Sequence, residues 1–356
     1  MTGAGWIPVP PGPSSTKEGW KRWVAHVGSK PPALPSPGQW EAMSAKERRQ
    51  FNFRRNRHHG SFGPVVTETM QNLLDALVDR ALSNLSSVPG ARPGTVVDGE
   101  PNVGKTMTAA HAGRVYELEL RDEFETDMRI RGEAEWLPVV YYSMDTPATV
   151  RNLNRGIANF YGALVPSRPS TAQLTDIVVE HAQRCATTLF IIDDIHYLDM
   201  NRESAREVND HLKMLMNETS ATFVYAGVLC SGTKLFTEGH PEEDHHLGQT
   251  RRRFARMPLE PFEVETPEGG EEWQRLLNSL ENLLVLRHME EGILAEPEMA
   301  SYLHDRTGGF VGSLVWLLRY GAARAIRTGE EKITRELLDR EVIDAAAETS
   351  YAAKLG

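Results

Sequence analysis

The feature that most narrows what this chain can fold into is an eight-residue run, GEPNVGKT from Gly99 to Thr106, which fits the pattern G-x-x-x-x-G-K-[ST]. In such a loop successive backbone N–H groups converge on phosphate oxygens, the lysine reaches the outer phosphates, and the hydroxyl ligates Mg²⁺. The loop needs a strand before it and a helix after it, so that its N–H groups and the helix dipole face one polyphosphate. Both flanks comply: GTVVDG is a short β-branched run ending in Asp-Gly, and Met107 to Leu120 has helix-forming composition. Gly99, Glu100, Pro101, Asn102, Val103, Gly104, Lys105, Thr106 and Met107 are therefore the expected nucleotide-binding residues, with Lys105 on phosphate and Thr106 on the metal.

A second element lies about 90 residues on, where the apolar run from Thr187 to Ile192 leads directly into Asp193 and Asp194. Ligands of parallel sheets bind outside the carboxyl ends of the strands, which puts Asp193 beside the Mg²⁺, and Asp194 follows at the position where related ATPases usually place a glutamate that polarises attacking water. The competing reading of Asp194 and His196 is that they cap the following helix. An aspartate is one methylene shorter than a glutamate, so either the water sits closer or hydrolysis is slower.

Strand-like runs at Trp136–Met144, Thr187–Ile192 and Thr222–Leu229 alternate with helical patterns at Ala148–Phe160, Ser170–Arg184 and Glu203–Thr219, a sequence that predicts a doubly wound α/β sheet. Beyond Pro261 the pattern turns helical at Glu271–Arg287, Pro297–Thr307 and Gly312–Thr328. The expected organisation is a Pro/Gly/Trp-rich N-terminal arm over 1–45, an ATPase domain over 46–260 that begins with a basic segment, and a helical domain over 261–356. Residues 1 to about 40 read equally as an arm with aromatic anchors (Trp6, Trp20, Trp23, Trp40) or as a disordered tail.

Charge sharpens two stretches. The chain carries a formal net charge of −10, which argues against a protein coated in positive charge but leaves room for local basic patches. Lys46, Arg48, Arg49, Arg54, Arg55 and Arg57 are concentrated between Lys46 and His59 with Phe51 and Phe53 among them, either a DNA-contacting surface or a solvated helix face. QTRRRFAR, Gln249 to Arg256, is an arginine cluster in which Arg253, with Arg252 close behind, is the candidate to complete the site of a neighbouring copy; its alternatives are a solvated turn or a DNA-facing patch. The two cysteines, Cys185 and Cys230, fit no zinc or redox spacing and suggest a reducing compartment. With no signal-peptide pattern and no apolar run of membrane-spanning length, the expected location is cytoplasmic.

With these elements in place the chain resembles AAA+ ATPases, and among them the TniB/TnsC family of transposition regulators. The resemblance is carried by Phe62–Met70, the phosphate loop, Pro138–Thr149, Phe190–Leu198, Asn209–Val228, Arg252–Phe262 and Arg306–Ile326. It implies an AAA+ parallel sheet with a helical lid, ATP and Mg²⁺ as ligands, and assembly of copies on double-stranded DNA as a ring or filament. It also implies recruitment or activation of a DDE transposase. Site residues transfer as Lys105 and Thr106 for ATP and Mg²⁺, Asp193 for Mg²⁺, Asp194 for the water, and Arg253 as the arginine acting in trans. Two departures point to slow, switch-like turnover: Gly227 and Val228 stand where a polar sensor is usual, with Ser231 too far along. Ser313, with Arg319 two turns on, stands where a second sensor arginine is expected. A reading of a different class is a nucleotide-gated signalling or defence module that binds a protein through its aromatic arm and does not act on DNA.

Overall fold

In the computed structural model the described residues are 12–26, 30–61, 65–88, 90, 92–130, 135–144, 148–195, 203–228 and 254–355. In chain order the helices and strands are α1 (Lys17–Ala25), α2 (Pro37–Ala42), α3 (Ala45–Gly60), α4 (Glu68–Leu85), β1 (Gly94–Asp98), α5 (Lys105–Ile130), β2 (Val139–Ser143), α6 (Val150–Tyr161) and α7 (Thr171–Arg184). They continue with β3 (Leu189–Asp193), α8 (Glu203–Thr219), β4 (Thr222–Gly227), β5 (Phe254–Pro258), α9 (Pro267–Glu281), α10 (Pro297–Thr307), α11 (Val311–Thr328), α12 (Arg335–Leu338) and α13 (Ala345–Leu355). The chain divides into two units: Met1–His26, Met70–Pro101 and Lys105–Leu259 form one, and Val27–Thr69, Asn102–Gly104 and Glu260–Gly356 the other. Among the described residues no helix is long and apolar enough to cross a membrane.

The first unit is built on a five-stranded sheet in the order β2-β3-β4-β1-β5, every pairing parallel. Parallel strands covered on both faces must be apolar along their whole length. Every residue of β1, β3 and β4 is accordingly buried. Apolar area removed from water at about 25 cal/mol per Å² is the main force holding these strands in place. The four strands expected from the apolar runs are all present. The fifth, β5, falls inside the arginine-rich stretch and alternates half-buried with exposed residues. It pairs only with β1 and so forms the sheet edge, where a strand needs no continuous apolar run.

The N-terminal tryptophans belong to this unit. Thr16 caps α1 by accepting from the Gly19 N–H, and Trp20, Trp23 and Val24, spaced to share one helical face, are buried. Residues 17–25 are thus a helix anchored by its tryptophans, while Trp6 lies outside the described residues.

The second unit is helical. Its core gathers Trp273, Leu276, Leu277 and Leu280 from α9, Leu303 from α10, and Leu314, Leu317 and Leu318 from α11. Helix α9 ends at Glu281, earlier than the expected Arg287, because Asn282 caps it and Leu284 and Val285 leave the helical path. The basic helix α3 clusters here rather than with the sheet. A capping box between Ser44 and Glu47 starts it, and Phe51, Arg55, His58 and His59 form its buried face. Arg55 is fully buried and grips Glu331 through both guanidinium nitrogens, Nη1 to Oε2 at 2.5 Å and Nη2 to Oε1 at 2.6 Å. This removes Arg55 from the candidate DNA contacts: a residue read as a surface charge is an internal tie, and helical spacing places it on the apolar face. Arg48, which donates to the carbonyls of Trp40 and Glu41, is likewise spent within the unit. Asn102–Gly104 group with this unit, and the Gly312 N–H at the start of α11 donates to the Asn102 carbonyl at 2.8 Å.

Candidate nucleotide site

The loop between β1 and α5 has the geometry of its motif. Asn102 and Gly104 both take positive φ, 66° and 99°. Left-handed residues set among right-handed ones turn successive N–H groups toward one point, which makes an anion-binding concavity. Glycine meets this demand at Gly104 and asparagine tolerates it at Asn102. Val103 between them is buried. Helix α5 begins at Lys105, so its unpaired N–H groups and positive dipole end open onto the loop.

Lys105 is 8% exposed, and its Nζ donates to the Glu100 carbonyl at 2.5 Å, curling back over the loop it closes. Burial pulls its ammonium below the ordinary value, while Asp193, Asp98 and Asp194 pull it up. A desolvated cation among carboxylates is prepared for an anion that would restore its lost solvation.

The carboxyl end of β3 supplies the acids. Asp193 is 2% exposed, and its Oδ1 accepts the Asp194 N–H at 2.9 Å while its Oδ2 accepts the Tyr141 hydroxyl at 2.8 Å. The Thr106 side chain is a further hydrogen-bond partner of this carboxylate, so the two residues expected on the metal meet. Burial raises the Asp193 carboxyl above its usual range, and the bonds from Thr106, Tyr141 and Asp194 oppose the rise. Asp194 takes φ of 57°, and its Oδ2 accepts from the Ser143 hydroxyl at 2.7 Å.

Three further residues join this site without a motif of their own in the sequence. Tyr141 and Ser143 stand opposite Ile191 and Asp193 in the β2–β3 register and reach the acids across the strand pair. Their only signal in the sequence is a pair of hydroxyls two apart in an apolar run, which alternation places on one face. The third is Arg256 of β5, whose Nε donates at 2.7 Å to the buried Asp98, the residue immediately before the loop. Of the expected sensors, Ser313 is buried and donates to Asp344 at 2.5 Å, and Arg319 donates to the Gly60 carbonyl. Both are committed inside the helical unit. Arg251, Arg252 and Arg253, His196, and Ser231 lie outside the described residues.

With this arrangement in view, the family model described as "TniB: Bacterial TniB protein" matches residues 65–264, more than half of the chain. The chain belongs to the TniB family. No curated protein matches this TniB chain. Among solved structures it is similar to the Aeropyrum pernix ORC2 protein in its ADPNP-ADP complexes, with a TM-score of 0.58, 14% identity, and coverage of 82% of this chain and 70% of that one. It is also similar to the Aeropyrum pernix ORC1 protein in complex with DNA, at a TM-score of 0.54 and 16% identity. That likeness covers 82% of this chain and 66% of ORC1, just under two thirds of its length. Cdc6p from Pyrobaculum aerophilum matches at a TM-score of 0.50 and 14% identity, covering 82% of this chain and 81% of that one. At such identities the likeness establishes the fold: the TniB chain has the AAA+ architecture, a parallel sheet flanked by helices with a mainly helical second unit.

Proposed function

We propose that this TniB chain is an ATP-dependent regulator of DNA transposition that assembles on double-stranded DNA as a ring or helical filament. On DNA it would recruit or activate a DDE transposase at the target site. The observation that carries the reading is the meeting of Thr106, Asp193 and Asp194 at the carboxyl end of β3, next in chain to a desolvated Lys105 in a phosphate loop of a TniB chain. In this reading Gly99 to Met107 wrap the phosphates, and Lys105 exchanges its bond to the Glu100 carbonyl for phosphate oxygens. Thr106 and Asp193 offer a few hard oxygens, which suits Mg²⁺ because that ion takes one or two protein ligands and fills its shell with phosphate and water. When bound there, Mg²⁺ would offset charge on the phosphates.

Asp194 orients the attacking water, and the bond from Ser143 fixes the direction in which its carboxylate points. Arg253 enters the site of a neighbouring copy, so hydrolysis waits on assembly and acts as a slow switch. Arg251 and Arg252 are the other residues of that cluster.

Contact with DNA is supported by the exposed side of α3. Lys46, Arg49, Gln50, Phe53 and Arg54 line a shallow groove, with Arg57 one turn further on. Lys46, Arg49, Arg54 and Arg57 enter no ion pair among the described residues, and the one acid of the helix, Glu47, is held by Ser44 in the capping box. Guanidinium forks match phosphate oxygens, and the 53% exposed Phe53 ring lies among them. The reading in which a protein partner binds the aromatic arm finds less support, because Trp20 and Trp23 are buried in the first unit. The known uses of the likenesses lend support of their own, since the ORC1 structure is a DNA complex and the ORC2 structure holds nucleotide.

The test is assembly of the full chain on duplex DNA with and without ATP. ATP-dependent filaments or rings, followed by electron microscopy, are expected. Nucleotide binding without any DNA-stimulated assembly would overturn the DNA reading. Charge reversal of Lys46, Arg49, Arg54 and Arg57 together should lower duplex affinity and flatten its salt dependence by about one unit of slope per lost phosphate contact.

A further inference from the structure

The N-terminal segment 15–25, which contains α1, reaches both acids of the site by short routes through β2. Trp20 is fully buried, and its indole stacks on the Tyr141 ring with centroids 5.9 Å apart and planes 10° from parallel. The far edge of the indole is fixed as well: Nε1 donates to Glu117 Oε2 at 2.7 Å, and Glu117 is itself 1% exposed. Helix α5 makes room for this ring at Gly113, where a Cβ would lie 2.4 Å from Ile191 Cδ1 and 3.2 Å from the indole. The stacked Tyr141 then presents its hydroxyl to Asp193 at 2.8 Å. A second route starts at Ser15, whose Oγ accepts the Ser143 N–H at 3.1 Å, and continues from the Ser143 hydroxyl to Asp194 at 2.7 Å.

We infer that Tyr141 and, through it, Trp20 are positioning residues of the nucleotide site, so that α1 is part of the machinery that holds the Mg²⁺-facing carboxylate. This inference rests on the proposed ATP and Mg²⁺ reading. The chemistry is that of an outer-shell partner. A carboxylate that accepts at both oxygens is held in one rotamer, and the donor to its Oδ2 decides how much of that oxygen remains for another ligand. Space-filling alone would account for a buried tryptophan. What points to the site is the link onward, since the tyrosine on which this indole stacks donates to the acid that also bonds Thr106.

The experiment uses the full chain with Tyr141→Phe, which keeps the ring and its stack but deletes the donor, and with Trp20→Phe and the double variant. The first readout needs no ligand: hydrogen exchange of the segment 189–195 in nucleotide-free protein should quicken about tenfold in Tyr141→Phe, with the thermal midpoint little changed. The second is the Mg²⁺ concentration giving half-maximal binding of a fluorescent ATP analogue, expected to rise about 10-fold in Tyr141→Phe. Trp20→Phe should shift both in the same direction by less, and the double variant should add little to Tyr141→Phe. A folded Tyr141→Phe with unchanged exchange and unchanged Mg²⁺ dependence overturns the inference. So does a Trp20→Phe effect that simply adds to it, because Trp20 would then not act through Tyr141. If the wild-type chain binds the analogue with no dependence on Mg²⁺, the ATP and Mg²⁺ reading falls, and the inference with it.

Discussion

The two units of this chain bury charge in opposite ways. In the helical unit Arg55 and Glu331 form a closed pair at 0% and 2% side-chain exposure, with Arg287 3.2 Å from the same carboxylate. Burial alone would raise the Glu331 carboxyl, but bonds from Arg55 and Arg287 outweigh it and hold the group below its usual range. In the α/β unit Lys105 is buried and, among the described residues, its hydrogen-bond partner is the Glu100 carbonyl, and both it and Asp193 are shifted toward their neutral forms. Charge with a matched partner fixes a structure, whereas charge whose desolvation is left uncompensated is held for a ligand.

The strongest way to break this comparison is Glu331→Gln, which keeps the shape but leaves the Arg55 charge buried without its counter-ion. It should cost about 3–5 kcal/mol in chemical denaturation. Nucleotide affinity of the folded protein should not move, and a loss under about 1 kcal/mol would deny the cluster its architectural role. Lys105→Met is the mirror experiment. Nucleotide affinity should fall about 100-fold, near 2.7 kcal/mol, while apo stability stays within about 0.5 kcal/mol of wild type or rises. An equal fall in both would mean that Lys105 is as structural as Glu331.

The smallest effect is read in pH. His59 Nε2 accepts the Val285 N–H at 2.9 Å, so the ring is wanted neutral. Burial, with help from His58 and Arg55, pushes its pKa down to about 3. A depressed folded value means that this stability is complete above the unfolded pKa of about 6.5 and is lost as pH falls toward 3. Wild type should therefore lose about 2 kcal/mol between pH 7 and pH 5 from this group. His59→Gln, which retains an acceptor, should flatten the curve over that window, and an unaltered curve would show that His59 does not govern it.

The sequence revealed the α/β unit most clearly where physics made it redundant. Strands buried on both faces must be unbroken apolar runs, so VVD, VVYYS, LFIID and TFVYAG all announced themselves. Strand β5, FARMP, did not, because an edge strand with one neighbour is free to carry Arg256. The acids at the end of β3 were legible from spacing, whereas Tyr141 and Ser143 were not, since what makes them part of the site is register between two strands distant in sequence. The basic helix shows the same limit. Composition counted Arg55 with its neighbours, but a buried pair with Glu331 is a contact 276 residues long, and no local pattern reports it.

The family resemblance leads one to expect a glutamate where this chain has Asp194, and the φ of 57° at that residue favours a short side chain on grounds that do not involve reaction chemistry. The left-handed region is several-fold easier for Asp and Asn than for longer side chains. At this corner the main chain has in effect chosen the length of the side chain. A lineage needing faster turnover could not simply lengthen the carboxylate here. It would first have to rebuild the turn, so if Asp194 orients water as proposed, the backbone at this corner is what a faster variant must change first.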